Sequence, residues 1–169
     1  MKSAAPVPIA RSAELAGLLH LLDAAYCRKS WHGPNLRGSL RNVTPAEAGW
    51  RAGRHSIGEL AVHCAYWKYV VRRRLRGDKR GSFPLKGSNW FVLPEPLRED
   101  PWRGFVQLLD AQHCALCDAV AAFQPADLDR LLGKGDLTPV CLIHGAALHD
   151  VYHAGQIQII KGAHRGATA

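Results

Sequence analysis

The chain has 169 residues, 47% of them hydrophobic, and a formal net charge of +8 with the histidines neutral. That length and composition suit one domain with a sizeable apolar core, and exclude a disordered or fibrous chain. No apolar run approaches the roughly 18 residues that a membrane-spanning helix needs. Residues 1–169 therefore read as a single domain. Pro6 and Pro8 fit a flexible tail over residues 1–10 better than a secretory signal. The expected location is the cytoplasm.

Five cysteines occur, at 27, 64, 114, 117 and 141. An odd number, mostly inside apolar helical stretches, argues against a secreted disulfide framework. Reduced thiols packed as small buried groups are expected instead. Cys114 and Cys117 form a lone CxxC in mid-helix, whereas a redox pair is expected at a helix N-terminus and a zinc site needs a second pair.

In chain order, Leu15, Leu18, Leu19, Leu22 and Tyr26 recur at helical spacing, predicting a helix from about Ser12 to Arg28. Gly33-Pro34-Asn35 follows it as a break. Thr44, Pro45 and Glu47 order an N-cap, a first-turn proline and a capping acid, which predicts a short helical turn. Ser56 and Glu59 form a capping box that opens a second long helix. Its stripe is Ile57, Leu60, Cys64, Trp67, Val71 and Leu75, and Gly77 stops it.

Residues 78–100 carry three prolines and two glycines around Trp90 and Phe91, and predict an irregular segment. An unstructured stretch of this length is uncommon and often functional. The tip Asn89-Trp90-Phe91 suits either a cover over a site or a contact between copies. Asp100-Pro101 opens a third long helix through Phe123, and a short turn is expected over 126–132. Thr138-Pro139 opens the last helix, expected to end near Gly162. Four long helices of similar scale predict an all-α chain, a four-helix bundle with long crossover loops.

The basic balance raises nucleic acid, anionic membrane and anionic substrate as partners. The one dense cluster, Arg72 to Arg76, lies at a helix C-terminus, where cations complement the helix dipole. It lacks interleaved aromatics and any helix-turn-helix pattern, so a solvated face fits better than a nucleic-acid site.

The chemistry concentrates in the last helix. His149 and His153 stand four residues apart on one face, with Cβ atoms about 6 Å apart. Two imidazoles so placed can converge on one ion at about 2.1 Å. The same pair can equally be a polar face or a satisfied core contact, and a metal needs at least one further ligand. His63, flanking the inner stripe of the second helix, is the candidate. Gly155, costly in mid-helix, predicts close packing there. Gln156 lies on the histidine face one turn on, suited to orienting a ligand or binding substrate. Asp150 and Tyr152 are rotated about 100° away on either side and suit packing or helix–helix hydrogen bonds. Glu59 is accounted for by its capping box, and His144 faces elsewhere.

The run His149-Asp150-Val151-Tyr152-His153-Ala154-Gly155-Gln156, together with Ser56-Ile57-Gly58-Glu59-Leu60-Ala61-Val62-His63, resembles the DinB-like (YfiT-like) metalloprotein superfamily. The leucine-rich first helix, the Thr44-Pro45 turn and Trp50 also sit where its members have them. The resemblance implies a four-helix bundle whose three histidines hold a divalent metal, and those ligands carry over to His63, His149 and His153. It further implies a homodimer and, for several members, transferase or isomerase chemistry with a low-molecular-weight thiol. Three imidazoles leave coordination positions open for water or substrate, as in catalytic sites, and suit zinc or nickel alike. The alternative is a non-enzymatic metal-binding or stress-response module, which the lack of an evident acid or base beside the histidines favours.

Overall fold

The computed structural model describes residues 12–168 except 52, 82, 134 and 135, so the expected tail at 1–10 lies outside the described residues. The chain is all-α: α1 (Ala13–Tyr26), α2 (Leu36–Ser39), α3 (Pro45–Gly49), α4 (Ile57–Arg76), α5 (Glu99–Ala121), a 3-10 turn (Pro125–Asp127) and α6 (Pro139–Thr168). No helix is long and apolar enough to cross a membrane among the described residues.

Helix starts lie where capping chemistry puts them. The Oγ of Ser12 accepts from Leu15 N, that of Thr44 from Glu47 N and that of Thr138 from Cys141 N. In α4 both halves of the Ser56–Glu59 box are made. Gly77 closes α4 in the left-handed region at φ 68°, which glycine adopts without Cβ strain.

Ends and short elements depart from expectation. The first helix stops at Tyr26, with Cys27 as its cap. Asn35, read as part of a break, caps α2 through Oδ1 to Gly38 N at 2.7 Å. The turn expected over 126–132 shrinks to the three residues of the 3-10 turn. The last helix does not end at Gly162 but runs to Thr168. A glycine only permits a stop, and no left-handed residue or proline follows this one to enforce it.

The four long helices pack in a closed ring, α1 and α4 each against both α5 and α6. Two apolar clusters fill it. One joins Tyr26, Ile57, Leu60, Trp102, Leu109 and Ile157. The other joins Leu18, Leu22, Leu75, Leu116, Val120 and Ile143. The first cluster thus takes the C-terminal end of α1, the N-terminal parts of α4 and α5, and the C-terminal part of α6. It follows that α1 and α6 run one way and α4 and α5 the other. Since α4 spans about 30 Å, the chain must travel that length back before α5 begins. This is what the irregular segment 77–98 does.

Between the clusters lies a polar layer to which each long helix contributes. Lys68 and Asp150, each 1% exposed, form an ion pair. Lys68 Nζ lies 3.4 Å from His113 Nδ1, and His113 Nε2 lies 3.2 Å from Asp23 Oδ1. The Tyr26 ring stacks on His113 and lies under the Lys68 ammonium. Burial pushes His113 down to about 4, and the Lys68 charge acts in the same direction. Burial raises Asp150 to about 6 against the opposing pull of Lys68.

The expectation of buried thiols holds for Cys64 alone. Cys27, Cys114 and Cys141 are exposed and Cys117 is half-buried, and all five are free. Cys114 and Cys117 sit about 60° apart around α5 at three residues' spacing, and Cys117 is the more buried of the two.

Candidate metal centre

Helix α4 is buried on every side from Ile57 to Ala65, because α3, α5, α6 and the returning segment all cover it. His63 is therefore 5% exposed, and His153 of α6 is equally buried. His149 Nε2 lies 3.1 Å from His63 Nε2 and 3.1 Å from His153 Nε2. The structure brings together the three histidines singled out in the sequence, and they could hold one metal ion.

The outer nitrogens of His63 and His153 have partners of their own. His63 Nδ1 donates to the backbone carbonyl of Asn89 at 2.9 Å. His153 Nδ1 donates to Gln156 Oε1 at 2.6 Å, and Gln156 Nε2 donates to the Tyr152 hydroxyl at 3.1 Å. These bonds put the ring protons of His63 and His153 on Nδ1 and aim both Nε2 lone pairs inward. His149 can donate to only one of them. At least one 3.1 Å contact then opposes two lone pairs, an arrangement that a cation between them relieves. Ligand bonds near 2.1 Å would separate the nitrogens by about 3.0–3.4 Å, depending on the angle at the ion.

All three imidazoles are held neutral, as metal ligands must be. Burial lowers His63 to about 4 and His149 to about 3, and lowers His153 as well. The consequence for stability has a definite sign. An unfolded histidine titrates near 6.5. Between that value and about 4 the unfolded chain binds more protons than the folded one, so acid favours unfolding. The metal-free protein should lose stability as pH falls from about 6.5 to about 4, with His113 acting in the same window. Urea midpoints measured across that range test this. A midpoint that stays flat would show the histidines to be solvated.

The segment between α4 and α5 forms a wall of the centre. Asn89 adopts φ 65°, tolerable for asparagine. In that geometry its backbone carbonyl reaches His63 while its side chain accepts from Trp67 Nε1 at 2.9 Å. The Trp90 ring stacks between His55 and His63, with centroids 3.5 and 3.9 Å away. The tip thus lies against His63, through the Trp90 ring and the Asn89 carbonyl. Nothing in the sequence reported that a backbone carbonyl would orient His63. The aromatic at 90 inside a proline-rich segment was the available signal.

Other residues take the quieter reading. Glu59 accepts from Ser56 N at 2.8 Å and from Arg51 Nη2 at 2.6 Å, so both its oxygens are committed to the helix start. His144 is exposed. Asp150 turns into the core towards Lys68, as a residue making helix–helix contacts does. Gly155 is the exception to expectation. It is exposed, and nothing within the chain lies within 4 Å of where its Cβ would stand. Close packing inside the chain does not explain it.

An apolar groove of about 260 Å³ reaches His149 between α4 and α6, walled by Trp67, Val70, Leu142 and Ala146, with Arg74 along it. A larger cleft of about 500 Å³ lies beside Leu75 and Phe123, at the other end of the helices from the histidines.

Comparison with known proteins agrees with this geometry. No curated protein and no solved structure matches the chain. A family model of the DinB superfamily matches residues 30–157, from just before α2 to well into α6, and this stretch contains all three histidines. The chain belongs to the DinB superfamily.

Proposed function

We propose that His63, His149 and His153 bind a divalent metal, zinc or nickel, and that the protein is a metal-dependent transferase or isomerase using a low-molecular-weight thiol. The observation that carries this reading is the convergence of three neutral imidazole Nε2 atoms, with the outer nitrogens of His63 and His153 already committed. A bound divalent ion supplies a Lewis acid that polarises a coordinated oxygen or lowers the pKa of coordinated water or thiol. Three protein ligands leave room for such a molecule. The groove beside His149 gives an approach for a small substrate with an apolar body, and Trp90 shields the opposite side from water. The thiol is inferred from the resemblance to family members that use one. Five free cysteines suit a reducing compartment, which supports a cytoplasmic location.

Gln156 orients His153 and would be a positioning residue. Gln156→Leu should weaken metal affinity about 10–100-fold while leaving helicity unchanged, as read by competition with a chromogenic chelator. An unchanged affinity would remove Gln156 from the centre.

A second reading, a non-enzymatic metal-binding module, draws on one observation. The nearby acids are engaged elsewhere, Glu59 in its cap and Asp150 with Lys68. Incubating the metal-loaded protein with a panel of low-molecular-weight thiols and electrophiles separates the two. Turnover that His153→Ala abolishes supports the enzyme. Stoichiometric metal without turnover or thermal shift supports the module.

A further inference from the structure

The groove between α4 and α6 has two unlike ends. His149 stands at one, against the Trp67 ring with centroids 6.2 Å apart. Arg74 stands at the other, because α4 and α6 run in opposite directions and the groove follows α6 back from His149 to Cys141. Between them the wall is apolar or thiol, and the one polar atom of Trp67, Nε1, is already committed to Asn89.

Arg74 differs from the rest of its cluster. Arg73 donates to the Asp78 carbonyl, Arg76 pairs with the Asp78 carboxylate, and Arg72 lies over the Tyr69 ring. Among the described residues Arg74 has no such partner. Side chains on a helix lean towards its N-terminus, and the groove lies on the N-terminal side of Arg74. Its guanidinium is thus carried over the groove. A free guanidinium at the end of an apolar channel is a fork for a carboxylate.

We propose that the groove binds an elongated apolar carboxylate, with the carboxylate on Arg74 and the reacting end at His149. Length follows from helix geometry. Trp67 to Arg74 is seven residues and His149 to Cys141 is eight, or about 10–12 Å at the helical rise. An extended chain covers roughly 1.2 Å per bond, so the body spans about eight to ten bonds. The charge of the chain, +8, favours an anion over a cation at this end. The placement of the reacting end rests on the metal centre proposed above, whereas the carboxylate end does not.

The test is calorimetric titration of the full chain with decanoate, decanol and decylamine. Decanoate should bind most tightly and decylamine least. Arg74→Met should weaken decanoate about 3–10-fold, the worth of a charged hydrogen bond discounted for exposure, and leave decanol unchanged. Gly145→Phe should abolish binding of both, since Gly145 lines the groove and a Cβ there meets nothing within 4 Å. Metal-free protein and His153→Ala should still bind decanoate, which separates this inference from the metal reading. In the zinc-loaded protein the ω-mercapto analogue of decanoate should bind at least about tenfold more tightly than decanoate, because both ends are then held, and His153→Ala should erase that gain. Absence of decanoate binding, as follows if another protein chain covers the groove, overturns the proposal. So does decanoate binding that Arg74→Met leaves intact and metal removal abolishes, which would put the carboxylate on the ion.

Discussion

Replacing His149 by alanine should weaken divalent-metal binding by more than the 10–100-fold typical of losing an outer-sphere partner, with the fold intact. His149 is the shared neighbour of the other two, its Nε2 lying 3.1 Å from each. Its loss therefore removes a ligand and also the geometry that places His63 and His153 around one point. The side chain is only half-buried and faces the groove beside Trp67, so truncation opens space that water can fill and should cost little stability. The metal-free variant should gain stability at mildly acidic pH, since one histidine kept neutral by burial is gone. Competition titration with a chromogenic chelator reads the affinity, and circular dichroism reads the fold. A variant that binds metal as tightly as wild type would show that the imidazoles are a polar cluster within the core.

Lys68→Met should have the largest effect on stability. It leaves Asp150 without its cation in a site 1% exposed. Removing one partner of a buried pair typically costs about 3–5 kcal/mol, because the remaining charge is uncompensated. One oxygen of Asp150 already has no hydrogen-bond partner among the described residues, so there is no second donor to fall back on. The double variant Lys68→Met/Asp150→Leu should recover most of the loss, since a well-packed apolar pair often equals or exceeds a buried ion pair. Urea unfolding of the two single variants and the double closes this cycle. If Lys68→Met cost under about 1 kcal/mol, the layer would be hydrated and not a structural tie across the helices.

The contrast between these two predictions shows what the amino-acid sequence discloses. Capping boxes at Ser56 and Thr44 and the apolar stripes of the long helices are local signals, and the helices start where those signals stand. The pair His149–His153 was legible for the same reason, since four residues on a helix fix their mutual distance whatever the tertiary fold. His63 needed the family pattern, because no local rule relates α4 to α6. The polar layer was missed altogether. Lys68 and His113 each read as one polar residue in an amphipathic helix, and only the packing of four helices at one height turns them into partners. Asn89 is a similar case, since the group it presents to His63 is a backbone carbonyl that every residue has. Gly155 was read as marking close packing, and the structure places nothing within 4 Å of where its Cβ would stand.

The metal centre is tested most directly by elemental analysis of protein purified in turn with zinc and with nickel, counted per chain for the wild type and for His63→Ala, His149→Ala and His153→Ala. Close to one ion per wild-type chain, falling to a small fraction in each of the three variants, is the expected result. No ion after loading, or an ion retained when any one of the three histidines is removed, would contradict the centre formed by α4 and α6.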